Sequence, residues 1–213
     1  MSVAAVVVAG GRGLRFGGPK QFSTLAGATV CSRAVAGARS VADWVVLVVP
    51  EGYEGDGEGA DLVVTGGETR ADSVRAGLAV CTDAAIVVVH DAARPLASAG
   101  LFHAVLDAVR AGADGAVPGL AVTDTIKRVT RDGEEDVVSA TIRRDELVAV
   151  QTPQAFRYDV LVRAHASHAD ATDDAALVEA AGGRVVVVPG EERNVKITGP
   201  DDVARVQSLM VDW

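Results

Sequence analysis

Apolar, largely β-branched runs recur along the chain at residues 3–9, Trp44–Val49, Leu62–Thr65, 85–90 and 184–189. Most are continuous rather than alternating. A strand with one face in water alternates apolar and polar residues, so continuous runs predict strands covered on both faces. Between them lie Ala-rich segments with helical spacing at 29–39, at 70–80 behind Thr69, and at 99–111 between Ser98 and Gly112. Thr and Ser accept hydrogen bonds from the free N–H groups of a first helical turn, and Gly suits the residue after a last one. The alternation predicts an α/β fold: an open, mostly parallel sheet with helices on both faces. Residues 1–213 read as a single domain. Ligands of such sheets bind at the carboxyl ends of the strands, so the residues just after each strand are where chemistry is expected.

One stretch breaks the rhythm. Residues 125–129 and 137–142 are β-rich and flank a charged turn at 131–136 that contains Gly133. Residues 123–151 are therefore expected to form an extended β-hairpin arm. A lone hairpin is marginal in water, so the arm is expected to lie against the sheet or against a second subunit of a homodimer.

Charge and composition narrow the chemistry. A formal net charge of -9 argues against a nucleic-acid surface, which needs an excess of Lys and Arg. Any phosphate site must then be local. Of 20 basic residues only Lys20, Lys127 and Lys196 are lysine, which suggests positions where a compact ammonium is preferred to a planar fork. The first apolar run ends in glycines well short of the ~20 residues a membrane span needs, so no membrane association or targeting signal is expected. Cys31 and Cys81 lack metal-ligand spacing and read as buried free thiols, as suits a cytoplasmic protein.

The first strand empties into residues 9–20, AGGRGLRFGGPK. Its glycines let backbone N–H groups approach a ligand, and Arg12, Arg15 and Lys20 add positive charge, together a cradle for a triphosphate. Phe16 where a third glycine should stand excludes the dinucleotide fingerprint, and Pro19 before Lys20 excludes the P-loop. At the end of the 85–90 run, Asp91 should face the site. A single carboxylate beside nucleotide phosphates suits magnesium, which keeps several waters, though Asp91 could instead be a turn residue paired with Arg94. His90 should point to the opposite face, as a core histidine.

Six blocks in order carry a resemblance: PKQF from Pro19, GGETRADSV from Gly66, HDAARP from His90, DTIK from Asp124, QTPQAF from Gln151 and NVKIT from Asn194. This pattern is similar to the 2-C-methyl-D-erythritol 4-phosphate cytidylyltransferases of the non-mevalonate isoprenoid pathway. The resemblance implies transfer of CMP from CTP to that sugar-alcohol phosphate with release of pyrophosphate. It places Ala9, Gly10, Gly11, Gly67, Glu68 and Ser73 around the base and ribose of CTP. Arg15, Lys20 and Lys196 fall at its catalytic positions, and Asp91 at its Mg2+ position. Arg94, Thr125, Arg144 and Thr152 fall at acceptor-binding positions, and Lys127 in the hairpin. Two departures stand out: VAGG at Val8–Gly11 replaces the usual Pro-Ala-Ala-Gly, and Glu68 replaces a common Asp. A ribitol 5-phosphate cytidylyltransferase, a guanylyltransferase of molybdenum-cofactor synthesis and a non-catalytic nucleotide-binding regulator are the alternatives.

Overall fold

A computed structural model of the chain describes residues 1–11, 20–166 and 171–210. The first half contains β1 (Val3–Val8), a 3₁₀ turn (Lys20–Phe22), β2 (Thr24–Leu25), β3 (Ala28–Thr29), α1 (Val30–Ala38), β4 (Trp44–Val49), β5 (Leu62–Thr65), α2 (Arg70–Leu78), β6 (Ile86–Asp91) and α3 (Ala99–Arg110). Then follow β7 (Gly115–Ala121), β8 (Ile126–Asp132), β9 (Glu135–Ile142), β10 (Val148–Val150), β11 (Gln154–Arg157), α4 (Tyr158–His165), α5 (Asp174–Ala180), β12 (Val185–Pro189) and α6 (Pro200–Met210).

The main sheet runs β10-β7-β11-β6-β1-β4-β5, with β12 paired to β7. β1 pairs in parallel with both β4 and β6, and β4 with β5, while β10 and β11 run antiparallel to their neighbours. The predicted mostly parallel sheet is present. Helices cover both faces, and β1 shows why its sequence does not alternate. Val3, Ala5 and Val7 pack on the side of α1 and α3, whereas Ala4 and Val6 pack on the side of α2, α4 and α5. A smaller cluster, including Leu25, Val30, Ile197 and Val206, seats α6. Cys31 and Cys81 are buried free thiols, with burial pushing them up to about 12 and about 11.

Three expectations need adjusting. β5 is an edge strand, and Leu62 and Val63 are each 45% exposed rather than covered on both faces. The second half holds more structure than the pattern shows, because β7, β11, α4, α5 and α6 lack its plain periodic signals. The arm is shorter than the expected 123–151: β8 and β9 pair as a separate two-stranded ribbon, irregular between Arg128 and Val129, whereas β10 (Val148–Val150) pairs with β7 in the main sheet. Val129, Val137 and Val138 on it are 44–56% exposed, so the arm does not lie against its own sheet.

Gly77 decides how closely α2 approaches the sheet. A Cβ there would stand 2.5 Å from Val6 Cγ1 and 3.2 Å from Val48 Cγ2. Ala in a helix interior normally gains up to about 1 kcal/mol over Gly, but overpacking a tight core costs about 1–3 kcal/mol. Gly77→Ala should therefore destabilise the protein. The check is a urea melt, in which a midpoint equal to or above wild type would refute the close approach.

Candidate active site

A cavity of about 560 Å³ opens at the carboxyl ends of the parallel strands. Ala9, Gly10 and Gly11 leave β1, Gly67 and Glu68 follow β5, Ser73 comes from the first turn of α2, Asp91 ends β6, and Lys20 and Lys196 come from flanking loops. All nine of these sequence-predicted residues line it. Arg94 and Thr152 sit behind Asp91 and are not among the lining residues. Thr125 and Arg144 are exposed near the arm, away from the cavity, and the Arg144 guanidinium donates to the Thr123 carbonyl. Arg15 lies outside the described residues, as does Arg12.

The wall is made by close backbone approach. A Cβ on Gly10 would lie 3.0 Å from Ser73 Oγ, one on Gly66 would lie 2.6 Å from the same atom, and one on Gly67 would lie 2.3 Å from Asp72 Cβ. These glycines let the β1 and β5 loops close on the start of α2. There, Asp72 N–H donates to the Thr69 hydroxyl at 3.0 Å and the Asp72 carboxylate accepts from Thr69 N–H at 3.1 Å. This reciprocal cap fixes where the helix begins. Gln21 Nε2 fastens the other side, donating to the carbonyls of Ala9 at 2.6 Å and Gly11 at 3.0 Å.

Charge is concentrated on Asp91, which is only 8% exposed. Arg70 Nε approaches Oδ1 at 3.3 Å and Lys196 Nζ donates to Oδ2 at 2.7 Å. Burial alone would push the carboxyl up; Arg70 and Lys196 outweigh it and hold it far below the usual carboxylate range. Arg70 also donates from Nη1 to Asp174 Oδ2 at 2.8 Å, and His165 Nε2 lies 3.0 Å from Asp174 Oδ1. Asp91 is not paired with the Arg94 side chain, whose Nη1 donates to the Asn194 carbonyl at 2.7 Å.

Behind Asp91 runs an ordered chain of hydrogen bonds. Asp91 N–H donates to Thr152 Oγ1 at 3.0 Å, Thr152 Oγ1 lies 3.1 Å from His90 Nδ1, and His90 Nε2 lies 3.1 Å from the Arg94 carbonyl. A carbonyl can only accept, so His90 carries its proton on Nε2, and Thr152 donates to Nδ1. His90 is thus a satisfied core residue packed edge-on to Phe102, and its chemistry is turned away from the cavity.

The pattern of the chain assigns no role to Arg70, Asp174, Gln21 or Asn194. Arg70 is visible inside the Gly66 block, beside the Thr69–Asp72 capping signal. Asp174 carries no local signal, since its partner Arg70 is 104 residues away. Asn194 is fully buried and donates to the Thr152 carbonyl at 2.8 Å, again a contact between distant segments.

A parallel sheet with a glycine-walled, lysine-bearing cavity and one buried carboxylate at its strand ends defines an α/β protein of the nucleotidyltransferase type. The 2-C-methyl-D-erythritol 4-phosphate cytidylyltransferase family model matches residues 3–212. The chain belongs to that family. It is 46% identical to the 2-C-methyl-D-erythritol 4-phosphate cytidylyltransferase of Rhodococcus jostii, over 98% of this chain and 95% of that protein. The crystal structure of the 2-C-methyl-D-erythritol 4-phosphate cytidylyltransferase from Thermus thermophilus is similar with a TM-score of 0.82 and 36% identity, over 97% of this chain and 98% of that one. The bifunctional enzyme IspD/IspF of an Anaeromyxobacter species is 47% identical over 98% of this chain, which spans 57% of that relative's length. Among the described residues, no helix is long and apolar enough to cross a membrane.

Burial pushes the His90 imidazole down from 6.5 to about 4, although Asp91 opposes this. The unfolded chain therefore binds the proton first, so the stability contributed by neutral His90 is complete above pH 6.5 and drains away as pH falls towards about 4. His90→Gln can keep both hydrogen bonds without titrating. Urea midpoints from about pH 7 to about pH 4.5 should fall more steeply in wild type than in His90→Gln, and parallel profiles would refute the neutral buried histidine.

Proposed function

We propose that the chain transfers a cytidylyl group from CTP to 2-C-methyl-D-erythritol 4-phosphate, giving 4-diphosphocytidyl-2-C-methyl-D-erythritol and pyrophosphate. The observation that carries this reading is the convergence of Lys20, Lys196 and the Arg70–Asp91 pair on one glycine-walled cavity, in a member of this family. A phosphate oxygen of the acceptor attacks the α-phosphorus of CTP in line. The bond from that phosphorus to the bridging oxygen breaks, and pyrophosphate leaves with the electron pair. A phosphate monoester has a second pKa of about 6, so it is largely dianionic at neutral pH and needs no general base. Catalysis is then positioning and charge neutralisation. Lys20 and Lys196 supply positive charge, while the backbone at Ala9–Gly11 and Gly67 fits the nucleotide closely enough to select cytosine.

Magnesium is part of the proposal. Among the described residues, Asp91 and Glu68 are the carboxylates on the cavity wall, hard oxygen donors of the kind this ion takes, and each Asp91 oxygen keeps a lone pair beyond its present partner. The ion would neutralise charge on the triphosphate and the departing pyrophosphate. Pyrophosphate release should require CTP, a divalent metal and methylerythritol phosphate, with UTP and ribitol 5-phosphate far poorer. Asp91→Asn should lower kcat/KM by about 100-fold or more and blunt the metal response. Normal turnover of that variant in EDTA would exclude the metal role, and equal use of ribitol 5-phosphate would exclude the acceptor.

The proposal extends to a homodimer in which each arm reaches its neighbour, so that Thr125 and Arg144 act at the other subunit's acceptor site. Exposed Val129, Val137 and Val138 along the ribbon support it, being apolar surface that their own chain does not cover. Mixing Lys20→Ala and Arg144→Ala proteins under subunit exchange provides the test. With shared sites, each mixed dimer has one intact and one doubly damaged site, so about a quarter of wild-type activity returns. If Arg144 serves its own chain, every site carries a lesion and none returns.

A further inference from the structure

Arg70 is a guanidinium divided between two carboxylates. Its Nη1 is held at 2.8 Å by Asp174, which is 1% exposed, while its Nε reaches Asp91 only at 3.3 Å. Nη2 is buried without a hydrogen-bond partner among the described residues. An arginine that meets a carboxylate side-on normally uses two parallel N–H groups; here the Nε prong is long and the adjacent Nη2 prong unmade. The second Asp91 oxygen is taken by Lys196 at 2.7 Å. A buried donor without a partner is unfavourable, so Arg70 stands to gain by turning onto Asp91, and the grip of Asp174 opposes that turn. Asp174 is itself fixed at the start of α5 and supported by His165 Nε2 at 3.0 Å.

We infer that Asp174 is a positioning residue for Asp91: by gripping Nη1 of Arg70, it prevents a closed two-pronged Arg70–Asp91 pair and leaves the carboxylate open to a divalent cation. The charges support this division. Two aspartates face Arg70 and Lys196, so the cluster balances without tying Asp91 to Arg70 alone. Removing the Asp174 charge leaves Asp91 as the counter-ion of Arg70 in the cluster. A closed guanidinium–carboxylate pair then competes with the metal for the same oxygens.

This inference rests on the proposed metal role of Asp91, and the experiment separates the two. Binding of Mn²⁺ is followed by electron paramagnetic resonance in the presence of α,β-methylene-CTP, so no turnover is needed. Asp174→Asn is expected to raise the Mn²⁺ midpoint about tenfold, within the range of couplings between contacting residues. Asp174→Glu, which keeps the charge, should stay within about twofold even if its melting temperature falls. Arg70→Gln/Asp174→Asn, which removes the competitor too, should bind Mn²⁺ at least as tightly as wild type. It also serves as the decisive variant if Asp174→Asn does not fold. An unchanged midpoint in folded Asp174→Asn, or a double variant with a raised midpoint, overturns the inference while leaving the metal role intact. An unchanged midpoint in Asp91→Asn overturns both.

Discussion

A carboxylate buried at the end of a central strand cannot be left uncompensated, and the neutralisation of Asp91 is the constraint on which the site's layout depends. Leaving one member of a buried ion pair alone typically costs about 3–5 kcal/mol, a large share of the stability of most domains. Two cations from segments far apart in sequence must therefore arrive together, and a third segment supports the Asp91 backbone. α2 brings Arg70, held at the right height by the Thr69–Asp72 cap. The segment before α6 brings Lys196, and Ile197 N–H anchors it to the Ala93 carbonyl at 2.9 Å. The segment before β11 brings the Thr152 hydroxyl, which takes the Asp91 N–H. The cavity is what remains between these parts, and its polar lining follows from a need that the core itself creates.

What can be read from the sequence is local. Continuous apolar runs mark β1, β4 and β6 because both faces of each are buried, and Thr29, Thr69 and Ser98 mark helix starts because their hydroxyls accept N–H groups in the structure. The glycines after β1 and β5 signal close backbone approach, and the atoms they approach are Ser73 Oγ and Asp72 Cβ. β7 stays hidden for a physical reason. Pro118-Gly119 reads as a turn, yet tertiary fit decides here. A Cβ on Gly115 would stand 2.5 Å from the Phe156 ring and one on Gly119 2.7 Å from Val187 Cγ1, so these glycines are the residues that let neighbouring strands pack across β7. The Arg70–Asp174 pair is equally out of reach, because no periodicity links residues on α2 and α5.

The arm and β5 show the same ambiguity from opposite sides. Both have β-branched composition, and both expose valines in this chain. β5 needs no cover on its outer side, since its ladder with β4 holds it in the sheet. Among the described residues, the arm's strands pair only with each other, from Ile126↔Ile142 to Asp132↔Glu135. A two-stranded ribbon in water is marginal, and its valines are exposed surface rather than part of this chain's core.

The division of labour between arginine and lysine ties these observations together. Arg70 is tethered by two carboxylates and mostly buried, and a planar fork on such a support is suited to staying in place. Lys196 is different: its side chain is 42% exposed and its carboxylate partner is Asp91. A compact ammonium on a flexible stem can exchange that partner for a phosphate oxygen without moving the backbone. Among the few lysines of this chain, Lys20 and Lys196 both stand on the cavity wall. Arg70 and Lys196 together keep the carboxylate ionised, and of the two the exposed ammonium on its flexible stem is the one that can change partner without movement of the core.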